Sequence, residues 1–336
     1  MTLVVRSAVA SDQGGSMRAV VIDDGDLRVD ERPDPVPGPT EVVVSVASAG
    51  LNGADILQRR GLYPAPAGAP VDIPGLEFSG VVTALGADVR GVTVGDRVMG
   101  IVAGGAQATM VAVDARHLLH VPDHVSLLDA GGFAEAATTA YDALVTQAHL
   151  SAGDRVLITG AAGGVGTAAV QLAHALGAQV IASVRSLAQH DAVAALGADE
   201  VLAPDAAAVH GPFDVVLELV GAPSLEAALG SLNIGARIAV VGVGAGAKAQ
   251  VNLLALMGAR AQISGATLRA RGAEEKAAIA AAMQCDVVPL LAAGALTVPV
   301  AATFGLDDVR SAYDRFTAGG KLGKVLLVCD EELSRR

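Results

Sequence analysis

The sequence predicts an α/β protein in which a β-rich, barrel-like domain accompanies a doubly wound parallel sheet of six strands. Three observations carry that prediction. An apolar run ends in a glycine-rich turn that passes straight into a small-residue helical pattern, Val156-Leu-Ile-Thr-Gly-Ala-Ala-Gly-Gly-Val-Gly166. Further apolar runs then alternate with helical patterns, the rhythm of a parallel sheet with right-handed crossovers. Before Thr138, by contrast, short Val-rich runs alternate with Gly, Pro and Asp turns, which reads as a small β-rich domain.

In chain order, residues 1–16 end in Ser11-Asp-Gln-Gly-Gly-Ser16, a flexible composition, and lack an apolar stretch followed by a cleavage site. They are expected to be an over-extended start or a disordered tail rather than a secretory signal. Met17-Arg-Ala-Val-Val-Ile-Asp23 reads as the opening strand, followed by Glu41-Val-Val-Val-Ser-Val46, Gly80-Val-Val-Thr83 and Asp96-Arg-Val-Met-Gly-Ile101. From Thr138 the strands expected are 154–159, 179–183, 200–202, 213–219, 236–241 and 261–264, with helices around 166–176, 187–196 and 224–233. After Ala273 a long helical pattern leads to Leu296–Val298, a helix near Leu306–Phe316 and a last strand, Lys324–Val328. The expected division is 1–16 as extension, 17–137 with 274–330 as the β-rich domain, and 138–273 as the doubly wound domain.

Composition narrows the function. A chain of 336 residues with 52% hydrophobic residues, largely Ala and Val, has ample core for two domains. A formal net charge of −12 argues against nucleic acid and anionic membrane surfaces as partners. No apolar run reaches the length of a transmembrane helix. The two cysteines, Cys285 and Cys329, offer no multi-bridge framework, so a reducing cytoplasm is expected.

The strand–turn–helix order around Ala161-x-Gly163-x-x-Gly166 is what a dinucleotide pyrophosphate requires. The turn is tight, the backbone can approach the phosphates, and a helix start presents free N–H groups and the positive end of its dipole. Gly164 and Val165 lie in the same cradle. Alanine replaces the first glycine of the usual fingerprint. Where a carboxylate would bind the ribose 2′-hydroxyl of NAD at the end of the second strand, this chain has Ser183-Val-Arg185. A hydroxyl and a guanidinium there suit a 2′-phosphate, and NADPH is the cofactor expected.

Longer motifs extend the reading. They are Leu51-Asn-Gly-Ala-Asp55 running to Leu62-Tyr63-Pro64, Ile73-Pro-Gly-Leu-Glu-Phe-Ser-Gly80, Gly95-Asp-Arg-Val98, the Ala161–Gly166 turn, Thr267-Leu-Arg269 and Gly323-Lys324. On these residues the sequence from Met17 to Val328 resembles the medium-chain dehydrogenase/reductases. Within them it is similar to the zinc-free quinone oxidoreductases related to zeta-crystallin, and most to the branch holding the tumour-suppressor-inducible quinone oxidoreductase. The resemblance implies a groES-like catalytic domain, a Rossmann domain, NADPH and a homodimer. It assigns cofactor contacts to Asn52, Tyr63, Thr139, Val220, Gly242 and Val243, places Thr267, Leu268 and Arg269 near the nicotinamide, and places Lys324 near the phosphates. Two departures stand out: Gly163 replaces a serine of that branch, and Gln189 replaces a lysine often found past the second strand.

Zinc-dependent relatives carry a cysteine before the Asn-x-x-Asp region and a histidine where this chain has Leu76. Leu76 cannot ligate a metal, no cysteine precedes residue 285, and no metal site is expected. Without a Lewis acid, the accessible chemistry is hydride transfer to an acceptor already electrophilic, a quinone or a carbonyl-activated alkene. Tyr63 and Asn52 are the candidate catalytic residues: Tyr63 as hydrogen-bond donor to the acceptor, Asn52 as an orienting amide, with a loop anchor and a turn residue as their plainer alternatives. Asp55 reads as a helix-start residue, and Glu77 as a buried carboxylate that needs a partner. The functions expected are, in order, an NADPH-dependent quinone reductase, an enone or enal reductase, and a non-catalytic NADPH-binding protein. A homodimer is expected through 251–264, where Val251-Asn-Leu-Leu-Ala-Leu-Met257 precedes the last parallel strand.

Overall fold

A computed structural model of the chain describes residues 15–335. The extension expected at 1–16 therefore lies outside the described residues as far as residue 14, while Ser16 already belongs to a strand. That strand, Ser16–Asp23, pairs antiparallel with Asp26–Pro33. Asp24 and Gly25 both hold positive φ, 48° and 81°, the conformation that a two-residue hairpin turn demands and that Asp-Gly supplies at least cost.

The remaining strands form two sheets. A seven-stranded sheet runs in the order Val300–Gly305, Lys324–Val328, Glu41–Gly50, Glu77–Leu85, Arg97–Ile101 and Leu118–His120, with Met110–Asp114 also paired to Glu41–Gly50. Leu326 lies opposite Gly50, so the end of the chain is stitched into the sheet begun near its start. The second sheet has six strands in the order Glu200–Leu202, Gln179–Ser183, Arg155–Ile158, Phe213–Glu218, Leu232–Val240 and Gln262–Gly265, every neighbouring pair parallel. Numbered along the chain this is 3-2-1-4-5-6, the doubly wound order. Val156, Ile158, Val180, Ala182, Val215 and Leu217 are all fully buried, as strands covered by helices on both faces must be. The groES-like and Rossmann-like sheets expected from the sequence are both present.

Two of the departures from the sequence reading concern the ends of the sheets. The helix expected over 224–233 ends at Ala228, and the next strand starts at Leu232. Phe213 N–H bonds Ser231 O at 2.8 Å, and Phe213 pairs with Leu232, so sheet pairing claims residues whose spacing reads as helical. Gly230 and Gly235 weaken any helix there. Past Leu296–Val298, Val300–Gly305 forms an unanticipated strand parallel to Lys324–Val328.

The outermost strand of the parallel sheet, Gln262–Gly265, and the preceding helix, Leu253–Ala259, expose an apolar surface. Leu253, Leu254 and Met257 are 65%, 79% and 71% exposed. No helix among the described residues is long and apolar enough to cross a membrane.

Candidate cofactor and active site

The glycine-rich turn joins strand Arg155–Ile158 to helix Gly164–Ala175. Ala161 is fully buried, and its N–H bonds Ser183 O at 3.1 Å, which ties the turn to the end of the second strand. A Cβ on Gly166 would lie 2.5 Å from Gly160 O, so only glycine lets the helix seat against the turn. Gly163 is the N-cap, and Thr167 N–H bonds its carbonyl. The N–H groups of Gly164, Val165 and Gly166 are first-turn donors that a helix cannot satisfy internally. This helix start at the carboxyl edge of a doubly wound sheet fits a dinucleotide phosphate.

Ser183 is buried at the end of its strand, and Arg185 stands exposed two residues on, with no protein acceptor bound to its guanidinium among the described residues. Across the edge of the sheet, Glu218 ends the fourth strand fully buried. Its Oε1 accepts from Thr159 Oγ1 at 3.1 Å and from Val220 N, Gly221 N and Ser224 Oγ, each at 2.7 Å. That carboxylate shapes the loop holding Val220. A Cβ on Gly242 would lie 2.1 Å from Leu219 O, so the loop after the fifth strand lies close against it, with Val243 exposed beside it. Glu218 escaped the sequence reading, although a carboxylate closing the apolar strand Phe213–Glu218 is a visible anomaly.

Tyr63 is half-buried, and its hydroxyl lies 3.4 Å from Thr267 Oγ1. Arg269 is only 4% exposed and donates to Ala103 O at 2.8 Å, Tyr63 O at 3.0 Å and Gln58 Oε1 at 2.6 Å. Its guanidinium lies 5.0 Å from the Tyr63 ring centre. Arg269, assigned by resemblance to the nicotinamide, pins the Tyr63 loop to the segment after the parallel sheet. Leu268 likewise faces a small apolar cavity with Ile101, Leu119, Thr138 and Ile279.

Lys324 is the residue that the resemblance places near the phosphates. Its stem does reach the nucleotide turn: a Cβ on Gly164 would lie 2.6 Å from Lys324 Cδ, and Gly323 N–H bonds Ala162 O at 2.8 Å. The ammonium, however, turns into the β-rich domain and is 3% exposed. It donates to Glu77 Oε1 at 2.5 Å, Asn52 Oδ1 at 2.7 Å and Leu51 O at 2.9 Å. Those three acceptors use all three ammonium protons. Asn52 is equally committed, since its Nδ2 donates to Glu77 Oε1 at 3.0 Å and to Gly50 O at 3.3 Å, leaving no free amide for a ligand. Glu77, fully buried, thus has the partner its burial requires, and its Oε2 accepts from Glu135 N at 2.9 Å.

Two more carboxyls surround this pair. Asp55 accepts from Asn52 N and Gly75 N, and burial pushes its carboxyl up to about 6. Glu135, missed by the sequence reading, accepts from Thr139 Oγ1 at 3.1 Å, and burial with the charge of Glu77 pushes it up to about 7. Thr139 is therefore joined to the buried cluster through Glu135. Among the described residues no group of three or more His, Cys, Asp or Glu side chains is arranged to hold a metal ion.

Residues 38–148 match the alcohol dehydrogenase GroES-like domain and residues 164–286 the zinc-binding dehydrogenase family model. The quinone oxidoreductase-like protein 2 of Bos taurus is 32% identical over 86% of this chain and 85% of its own length. The chain belongs to the medium-chain dehydrogenase/reductase superfamily, in its quinone oxidoreductase-like family. That is a family of oxidoreductases, and membership implies a nicotinamide cofactor. Among medium-chain dehydrogenase/reductase structures, a thermostable alcohol dehydrogenase from Pyrobaculum aerophilum superposes with a TM-score of 0.80 at 31% identity, covering 94% of this chain and 100% of that one. The quinone oxidoreductase from Coxiella burnetii gives 0.76 at 26% identity, covering 94% and 99%. Segments of polyketide synthases are also similar, such as the mycocerosic acid synthase-like protein of Mycolicibacterium smegmatis at 34% identity over 70% of this chain. The chain spans only 4% to 12% of the length of these synthases.

Proposed function

We propose that this protein is a zinc-independent, NADPH-dependent reductase of soluble quinones. The observation that carries the reading is the position of Lys324, whose stem lies on the nucleotide helix and whose ammonium sits on Asn52 and Glu77. The Lys324 ammonium and the Glu135 N–H already take up Asn52 Oδ1 and both oxygens of Glu77, so these atoms are spent on the protein's own donors rather than held open for a metal. When bound, the reduced nicotinamide supplies the hydride. Gly163, Gly164, Val165 and Gly166 hold the pyrophosphate, Ser183 and Arg185 hold the 2′-phosphate, and Val220, Gly242 and Val243 border the crevice. Tyr63 offers its hydroxyl to the acceptor oxygen, with Thr267 fixing the direction of that hydroxyl and Arg269 fixing its loop. Asn52 acts from within the buried cluster, holding Lys324 and Glu77 in place.

A second reading, reduction of a carbonyl-activated alkene, is favoured by the likeness to segments of polyketide synthases, proteins named for carbonyl-bearing chains. A steady-state screen of NADPH oxidation against soluble quinones and enones tests both. Turnover of quinones supports the first reading, turnover of enones alone the second, and turnover of neither removes both. The exposed apolar edge at Leu253, Leu254 and Met257 supports a homodimer, and two unpaired cysteines suit a reducing cytoplasm.

A further inference from the structure

The chain passes between its two large sheets twice. Residues 134–147 carry it from Leu118–His120 toward Arg155–Ile158, and residues 266–299 carry it back from Gln262–Gly265 to Val300–Gly305. A buried ion pair joins the two passages. Asp142 is 1% exposed, and its Oδ1 and Oδ2 accept from Arg271 Nη1 at 3.0 Å and Nη2 at 2.7 Å. That bidentate geometry fixes direction as well as distance. A second bond across the same gap runs from the Tyr141 hydroxyl to Asp286 at 2.5 Å.

Asp142 opens a π-helical stretch, Asp142–Gln147, that continues helix Ala134–Tyr141. Such wide turns are rare and occur mostly at functional sites. Arg271 spends its Nε–H on Thr267 O at 2.7 Å, and its backbone N–H bonds Leu268 O at 3.1 Å. Arg271 therefore closes residues 267–271 into a turn and ties that turn to the crossover. From the same turn Arg269 reaches Tyr63 O, Ala103 O and Gln58 Oε1, while the Thr267 hydroxyl lies 3.4 Å from that of Tyr63.

A buried ion pair is weak evidence for stability, because desolvating two charges offsets much of their attraction. What this pair supplies is geometry. Without Arg271 the Thr267 carbonyl loses a donor and the turn loses its tie to Asp142, whereas the Arg269 bonds to the Tyr63 loop remain. The contact that then loses its fixed partner is the one between the Thr267 and Tyr63 hydroxyls.

We propose that Asp142 and Arg271 are positioning residues for the reduction: through Thr267 they set where the Tyr63 hydroxyl points as the acceptor oxygen gains charge. The inference rests on the reductase reading given above, in which Tyr63 is the donor. A group that acts only in the transition state changes kcat and leaves KM in place.

The test compares Arg271→Met, Arg271→Lys and Arg271→Met/Asp142→Leu, each with Tyr63 intact and with Tyr63→Phe. The double substitution leaves no unpaired buried charge, so it folds even where Arg271→Met does not. With Tyr63 intact, kcat should fall about fivefold in Arg271→Met and in the double variant, with KM and NADPH affinity within about twofold of wild type. Arg271→Lys should recover part of the rate. In the Tyr63→Phe background the same substitutions should cost no further kcat, since the group they direct is gone. Fluorotyrosine labelling of the three tyrosines gives a fluorine NMR line for Tyr63, identified by its loss in Tyr63→Phe. Without cofactor or acceptor, that line should shift or broaden in Arg271→Met and in the double variant. An unmoved Tyr63 line, or an equal fall in kcat in the Tyr63→Phe background, overturns the positioning role while the reductase stands. A wild type that turns over neither quinones nor enones overturns the reductase reading and the catalytic use of the pair with it.

Discussion

Lys324 and Glu77 form a buried ion pair, Nζ to Oε1 2.5 Å, that locks the end of the chain against the strand behind the Asn-x-x-Asp segment. Both side chains are essentially without solvent, so removing one partner strands a buried charge. Lys324→Met should lower unfolding free energy by about 3–5 kcal/mol in urea titration, and Lys324→Met/Glu77→Gln should recover much of that loss. A single-variant loss below about 1 kcal/mol would show that the pair is not buried in solution.

The sequence made the need for this pair legible but not the pair itself. A glutamate inside an apolar stretch must find a partner. Its partner lies 247 residues away, on a flexible side chain whose direction no local pattern encodes. The same limit hid the Arg269–Gln58 contact and Glu135, which sits in an alanine-rich helix with nothing local to mark it. What the sequence encodes locally was readable: the glycine turn and the apolar runs of a sheet covered on both faces. Residues 229–233 were not, because sheet pairing with Phe213 outweighs their local spacing.

Arg185 is exposed and Ser183 is buried at the edge beside the nucleotide turn. Removing a charge-assisted contact to a 2′-phosphate costs about 1.5–3 kcal/mol. Arg185→Ala should weaken NADPH binding about tenfold or more in calorimetry and leave NADH binding unchanged. Equal losses for the two cofactors would remove the 2′-phosphate assignment.

The Tyr63 hydroxyl is held by Thr267 and its ring lies near Arg269, so Tyr63→Phe deletes one donor without releasing the loop. A donor in a half-open cleft should contribute less than the roughly 10²-fold seen in strongly preorganised sites. We expect about a tenfold fall in kcat/KM for quinones, a larger one for enones, and unchanged NADPH affinity. Unaltered turnover of both would reduce Tyr63 to packing.

Leu254 and Met257 expose apolar side chains on the helix before the edge strand of the parallel sheet. If two copies cover this edge isologously, Leu254→Glu/Met257→Glu places like charges across the two-fold axis. Sedimentation equilibrium should give a dimer for the wild type and a monomer for the double variant. A monomeric wild type at micromolar concentration rules the interface out.

The most direct test of the central claim, hydride transfer without a metal, is the initial rate of NADPH oxidation with a soluble quinone by chelator-treated protein whose zinc content has been measured. The account predicts an undiminished rate with no stoichiometric zinc and a slower rate with NADH. Loss of activity on chelation, restored by added zinc, would contradict it.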